Sequence, residues 1–86
     1  MELYIVIKSV TFECENDTDV VLLTADLEKA KAAMVDTYED EMSCNFIEED
    51  PEAENFDKSD TCMDCWEEGR ASENRVTVFI KKQKVE

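Results

Sequence analysis

From Met1 to Cys14 the apolar positions follow a two-residue period. Leu3, Ile5 and Ile7 fall on one side; Tyr4, Val6, Val10, Phe12 and Cys14 fall on the other. That alternation predicts a strand with two partly apolar faces, a central strand covered by a helix on one face and partly shielded on the other. Glu15-Asn16-Asp17 reads as a turn, because such side chains bond their own backbone and tolerate unusual dihedrals. Asp19 to Thr24, with Val20 to Leu23, predicts a second strand and hence a hairpin.

The period then changes. Leu27, Ala30, Met34, Tyr38 and Met42 recur every three or four residues, which predicts a helix over Ala25 to Ser43 with one apolar stripe. Thr24 or Asp26 is its N-cap, and Asp26 and Glu28 favour its positive end. Asn45 to Thr61 shows no period and reads as a long acidic loop anchored by Phe46, Ile47 and Phe56; loops of that length are functional or disordered. Arg75 to Val85 predicts the last strand, with Val76, Val78 and Ile80 on one face and Phe79 on the other. Trp66 to Ser72 is its candidate hairpin partner, weakened by Gly69. The expected fold is α+β: a single domain over residues 1–86, one helix on an antiparallel sheet, in the order β-β-α-β-β.

Composition narrows the function. The 86 residues hold 23 acidic and 9 basic side chains, a net charge of −14, and no histidine. Such a chain is unsuited to direct contact with DNA, RNA or anionic membrane, which need clustered Lys and Arg. It lacks the commonest general base, a Gly-rich phosphate loop and a G-x-S-x-G nucleophile, so an enzyme is not expected. Met1 to Val10 does not read as a signal peptide, and no apolar run approaches the roughly 20 residues of a membrane span.

The acid is concentrated. From Asp36 to Glu68 there are 14 acidic residues against the single base Lys58, so this segment carries −13 of the −14. Like charges at that density repel, and solubility alone asks for a magnitude of only about 2 to 8. One reading is a solvated loop. The other is a partner-binding surface made by Glu39, Asp40 and Glu41 at the helix end and Glu48, Glu49, Asp50, Glu52 and Glu54 in the loop. Carboxylates held on a scaffold imitate a row of phosphates and are drawn to a basic groove in another protein. Phe46, Phe56 and Trp66 then serve either as specific apolar anchors or as pins that hold the loop to the core.

Four cysteines leave three possibilities: a metal site, free thiols or disulfides. Cys62 and Cys65 have the C-x-x-C spacing at which a tight turn aims two thiolates at one ion. A helix of about 18 residues is about 27 Å long. Lying back along the sheet, it returns Cys44 to the hairpin tip that carries Cys14. The favoured expectation is a structural Zn²⁺ held by Cys14, Cys44, Cys62 and Cys65, with Asp60 or Asp64 as a substitute ligand.

The opening strand Leu3-Tyr4-Ile5-Val6-Ile7, the helix start Leu27-Glu28-Lys29-Ala30-Lys31-Ala32 and the acidic remainder together resemble the small proteins of bacteriophages and prophages, and among those the anti-CRISPR inhibitors. The resemblance covers size, charge and style along the whole chain and carries no site residues. It implies a DNA-mimicking inhibitor, acting in the bacterial cytoplasm, that occupies the nucleic-acid groove of a CRISPR effector nuclease, type II being favoured. The alternative is a zinc-stabilised protein-interaction module of a phage or bacterial complex without mimicry. A carboxylate Ca²⁺-binding protein is a weaker rival, since the loop lacks the D-x-[DN]-x-[DN]-G pattern.

Overall fold

The computed structural model describes residues 2–12, 15–45, 47–67 and 74–84. They form β1 (Glu2–Phe12), β2 (Glu15–Thr24), α1 (Leu27–Cys44), β3 (Phe56–Lys58), β4 (Cys62–Trp66) and β5 (Arg75–Lys84). The strands make one antiparallel sheet in the spatial order β2-β1-β5-β4-β3. The helix lies across one face and touches β1, β2, β4 and β5. The fold is therefore α+β, one helix on an antiparallel sheet, as the periodicities indicate. The order β-β-α-β-β holds only loosely, because three strands follow the helix.

Alternation places Tyr4, Val6, Lys8 and Val10 on the helix side, opposite Lys82, Ile80, Val78 and Val76 of β5. Val6, Val76, Val78 and Cys65 are fully buried there. Above them lie Ala30, Met34, Tyr38 and Met42, the stripe read from the three-four spacing. Ala30 has no exposure, and its small side chain lets the helix backbone come close to the sheet. Leu27, the fifth stripe position, is half-buried.

Three boundaries differ from expectation. The segment Glu15-Asn16-Asp17 is the start of β2, not a turn. The Asn16 side chain makes no local turn; its Nδ2 donates to Ser9 Oγ (3.1 Å) and Thr11 Oγ1 (2.8 Å) on the neighbouring strand. The expected loop from Asn45 to Thr61 is interrupted by β3, which closes the far edge against β4. The partner of β5 is Cys62–Trp66 and not Trp66 to Ser72; Met63 and Cys65 alternate onto the core and decide that pairing. Residues 68–73 lie outside the described residues.

Of the two candidate caps of α1, Asp26 is the N-cap. Asp26 Oδ1 accepts from Glu28 N (2.9 Å) and Lys29 N (3.4 Å), while Asp26 N donates to Thr24 Oγ1 (3.1 Å). Asp26→Ala is expected to lower unfolding stability by about 1 kcal/mol, read from urea denaturation, with the sheet retained.

Candidate acidic interface

The register of β1 with β2 slips between Val6 and Ile7, and Val21 is the extra residue. Beyond this bulge β2 changes phase. Asp19, Asp17 and Glu15 oppose Lys8, Val10 and Phe12 and so project on the helix side of the sheet. There they meet the acidic C-terminal half of α1. One groove is lined by Lys8, Val21, Asp36, Thr37, Glu39, Asp40, Glu41 and Ser43. Its continuation is lined by Lys8, Val10, Phe12, Glu15, Asp17, Asp19, Glu41 and Asn45.

Lys8 is the cation at the floor of this groove. Its Nζ donates to Glu41 Oε1 at 2.8 Å. That bond, against the opposing effect of burial and helped by the charges of Glu41, Asp19 and Asp40, holds the ammonium above its ordinary pKa. The last turn of α1 contains no basic residue. Acid at a helix C-terminus is unfavourable by about 0.3–1 kcal/mol per group. Part of that cost is offset from outside the helix, by Lys8 and by Asn45, whose Nδ2 donates to Glu41 O at 2.7 Å. Asp36, Glu39 and Asp40 remain exposed.

The second bank of acid is residues 47–55, on the far side of the helix. Asn55 is only 3% exposed. Its Nδ2 donates to Glu48 O (2.9 Å) and Trp66 O (2.8 Å), and its Oδ1 accepts from Asp50 N (2.7 Å). Asp50 closes a turn in which Ala53 N and Glu54 N both donate to its carbonyl. Glu54 ends that turn at φ 52°, the left-handed region. Ile47 is buried and joins the core. Tyr38 Oη donates to Glu49 Oε2 at 2.8 Å, and Lys58 Nζ lies 3.0 Å from the same atom. Burial pushes the Glu49 carboxyl up, but the bonds from Lys58 and Tyr38 outweigh it and hold the group below its ordinary range. Burial and Glu49 keep the Tyr38 hydroxyl protonated far above its usual pKa.

Of the eight acids expected at a partner surface, Glu39 and Asp40 lie along the groove, and Glu48, Asp50, Glu52 and Glu54 stand exposed on the second bank. Glu41 and Glu49 are half-buried and tied to Lys8 and Lys58. The eight form two banks flanking the helix rather than one plate. Glu15, Asp17 and Asp19 were not anticipated. Their signal is the alternation Glu15-x-Asp17-x-Asp19, which reads as a strand once Asn16 is not taken for a turn.

The two cysteines of the C-x-x-C are not aimed at one point. Cys62 and Cys65 sit in one continuous strand, not in a tight turn. They are three residues apart, so they face opposite sides of the sheet. Cys65 is buried under the helix, with Sγ 3.8 Å from Glu48 O, and burial raises its thiol pKa. Cys62 is half-buried on the other face, its thiol pushed up by burial and by Asp64. Cys44 is exposed at the helix end. Cys14 lies outside the described residues. Asp64, a proposed substitute ligand, accepts from Arg75 Nε (2.9 Å) and Nη2 and from Thr77 Oγ1 (2.9 Å), which occupies both its oxygens. Asp60 is exposed beyond β3. Among the described residues no three Cys, Asp or Glu side chains gather to hold an ion. Phe56 packs against the core as a pin, Trp66 lies under the Arg75 guanidinium at 5.4 Å, and Phe46 lies outside the described residues.

Two tests bear on the second bank. Asn55→Ala removes three hydrogen bonds from a buried site and is expected to cost about 2–3 kcal/mol, with proteolytic cleavage appearing within residues 47–55. Glu49 has a depressed folded pKa, so its contribution is present above the unfolded value of about 4.3 and is lost as pH falls through the folded value. Acid unfolding of Glu49→Gln, followed by far-UV dichroism, is therefore expected to show less loss of stability below that pH than the parent. No protein-family model matches the chain, and no curated protein and no solved structure matches it either.

Proposed function

We propose that the protein is an inhibitor that seats its two acidic banks in the basic nucleic-acid groove of a partner protein, excluding the nucleic acid. The observation that carries this reading is the placement of the acid on regular structure. Glu15, Asp17 and Asp19 project from one strand on the side facing the helix, alongside Asp36 and Asp40. Alternate strand residues are about 6.7 Å apart, so this row has about half the linear charge density of one DNA strand. A fixed row costs the partner no ordering entropy, unlike a disordered acidic tail. The acid also stands where it destabilises the helix end, which a role in solubility does not require.

The target favoured by the chain's size and charge is a CRISPR effector nuclease of type II, which holds its guide–target duplex in a positively charged channel and reads a short flanking motif with arginines. Inhibition then acts before catalysis, at DNA loading. The chain needs no metal and no chemistry of its own for this. The alternative, a zinc-stabilised interaction module without mimicry, calls instead for a partner on the apolar or cysteine-bearing face and little dependence on salt.

Binding is expected to weaken steeply with salt, as counterion-linked association does. The combined reversal Asp17→Lys, Asp19→Lys, Asp36→Lys, Asp40→Lys leaves the core untouched. It is expected to reduce affinity for a guide-loaded type II effector about 100-fold or more, close to 2.7 kcal/mol, and to restore DNA cleavage. Equal inhibition by this variant and the parent overturns the electrostatic mechanism. Absence of inhibition by the parent across type II effectors overturns the assignment of target.

A further inference from the structure

The face of the sheet opposite α1 has no covering layer among the described residues, and the shortest dimension of the molecule, 18 Å, accommodates one sheet and one helix. Alternation puts Leu3, Ile5 and Ile7 of β1 on this face. In register with Ile7 are Val20 on β2 and Phe79 on β5, and Cys62 on β4 opposes Phe79. Val20, Ile7, Phe79 and Cys62 thus form one apolar row across four strands. The next row holds Leu23, Ile5 and Lys81. Val20 is 64% exposed and Leu23 58%, while Leu3, Ile5, Ile7, Phe79 and Cys62 are half-buried. Such a contiguous patch marks an interaction surface.

We infer that this open face is the interface of a two-fold dimer, with a second copy of the chain as its occupant. Charge selects that occupant. In a chain of net charge −14, the two apolar rows carry no acidic side chain and one cation, Lys81. Contact between copies through the groove or the second bank sets acid against acid. Contact through the open sheets leaves both acidic layers outermost. The row on the other side of Phe79 contains Ser9, Thr77, Asp64 and Asp57. A two-fold axis lying in the interface, across the strands at the Phe79 row, stacks β5 on β5 and exchanges the flanking rows. Lys81 of one copy then comes over Thr77 and toward the carboxylates of the other copy, twice by symmetry. The patch is therefore self-complementary, the condition for an isologous contact. Aligned sheets pack about 10 Å apart with a twist of about 30°. The long dimensions of 45 and 26 Å give a face broad enough for the roughly 800 Å² per partner of a standard interface.

The test is the mass in solution, by light scattering on a sizing column, at low and high salt. The parent is expected to run at twice the chain mass, more completely at high salt, where repulsion between the two acidic copies is screened. Phe79→Lys and Ile7→Lys are expected to run as monomers with unchanged far-UV dichroism, and Asp40→Lys as a dimer. Should the first two fail to fold, cross-linking decides the matter without them. In a Cys14→Ser, Cys44→Ser background a short dimaleimide is expected to join two copies through Cys62, and Cys62→Ser to abolish the product. A parent that stays monomeric at both salts overturns the inference. So does a dimer that survives Phe79→Lys with its fold intact, or one that gives no Cys62-dependent cross-link.

Discussion

The side-chain amide of Asn55 supplies the hydrogen bonds that residues 47–55 cannot make for themselves. This stretch of the chain has no ladder partner and no helix, yet its amides and carbonyls must be satisfied wherever it packs on the core. Asn55 reaches Glu48, Asp50 and Trp66 at once, joining the two ends of the segment to β4. Two further ties, Tyr38 to Glu49 and Lys58 to Glu49, fasten the middle. With these in place, the backbone that carries Glu48, Glu49, Asp50, Glu52 and Glu54 is held against the core. The position of β3, the burial of Cys65 and the closure of the core over Tyr38 all depend on the segment staying down.

Much of the architecture was legible in the chain. The stripe Ala30, Met34, Tyr38 and Met42 is the buried face of α1, and the alternation of Val76, Val78 and Ile80 against Phe79 gives the two sides of β5. The errors share a cause. Asn16 is read by its turn propensity, whereas its side-chain amide bonds Ser9 and Thr11 on the neighbouring strand. Local propensity is blind to such bonds. The C-x-x-C spacing misled in the same way: three residues apart means one turn's width in a knuckle but opposite faces in a strand. The choice between them was made by Met63 and Cys65 packing under the helix, a tertiary fact.

Charge is sorted by layer in this molecule. The helix, the groove beside it and the second bank carry the acid, and the uncovered sheet face is almost neutral, its Asp64 already bonded to Arg75 and Thr77. Two different associations can therefore coexist on one small domain without competing for surface: a long-range, salt-sensitive attraction on one side and a short-range apolar contact on the other. The central pairing of β1 with β5, which sets Glu2 beside Lys84, separates these two sides by a single rigid layer.

The bulge at Val21 decides which layer receives β2's acid. Without it, Glu15, Asp17 and Asp19 would share a face with Leu23 and point away from the helix. The bulge thus acts as a switch of sidedness: straightening it, so that Val21 pairs with Ile7, would carry three negative charges through the sheet, whereas deleting Val21 leaves Asp19 opposite Lys8.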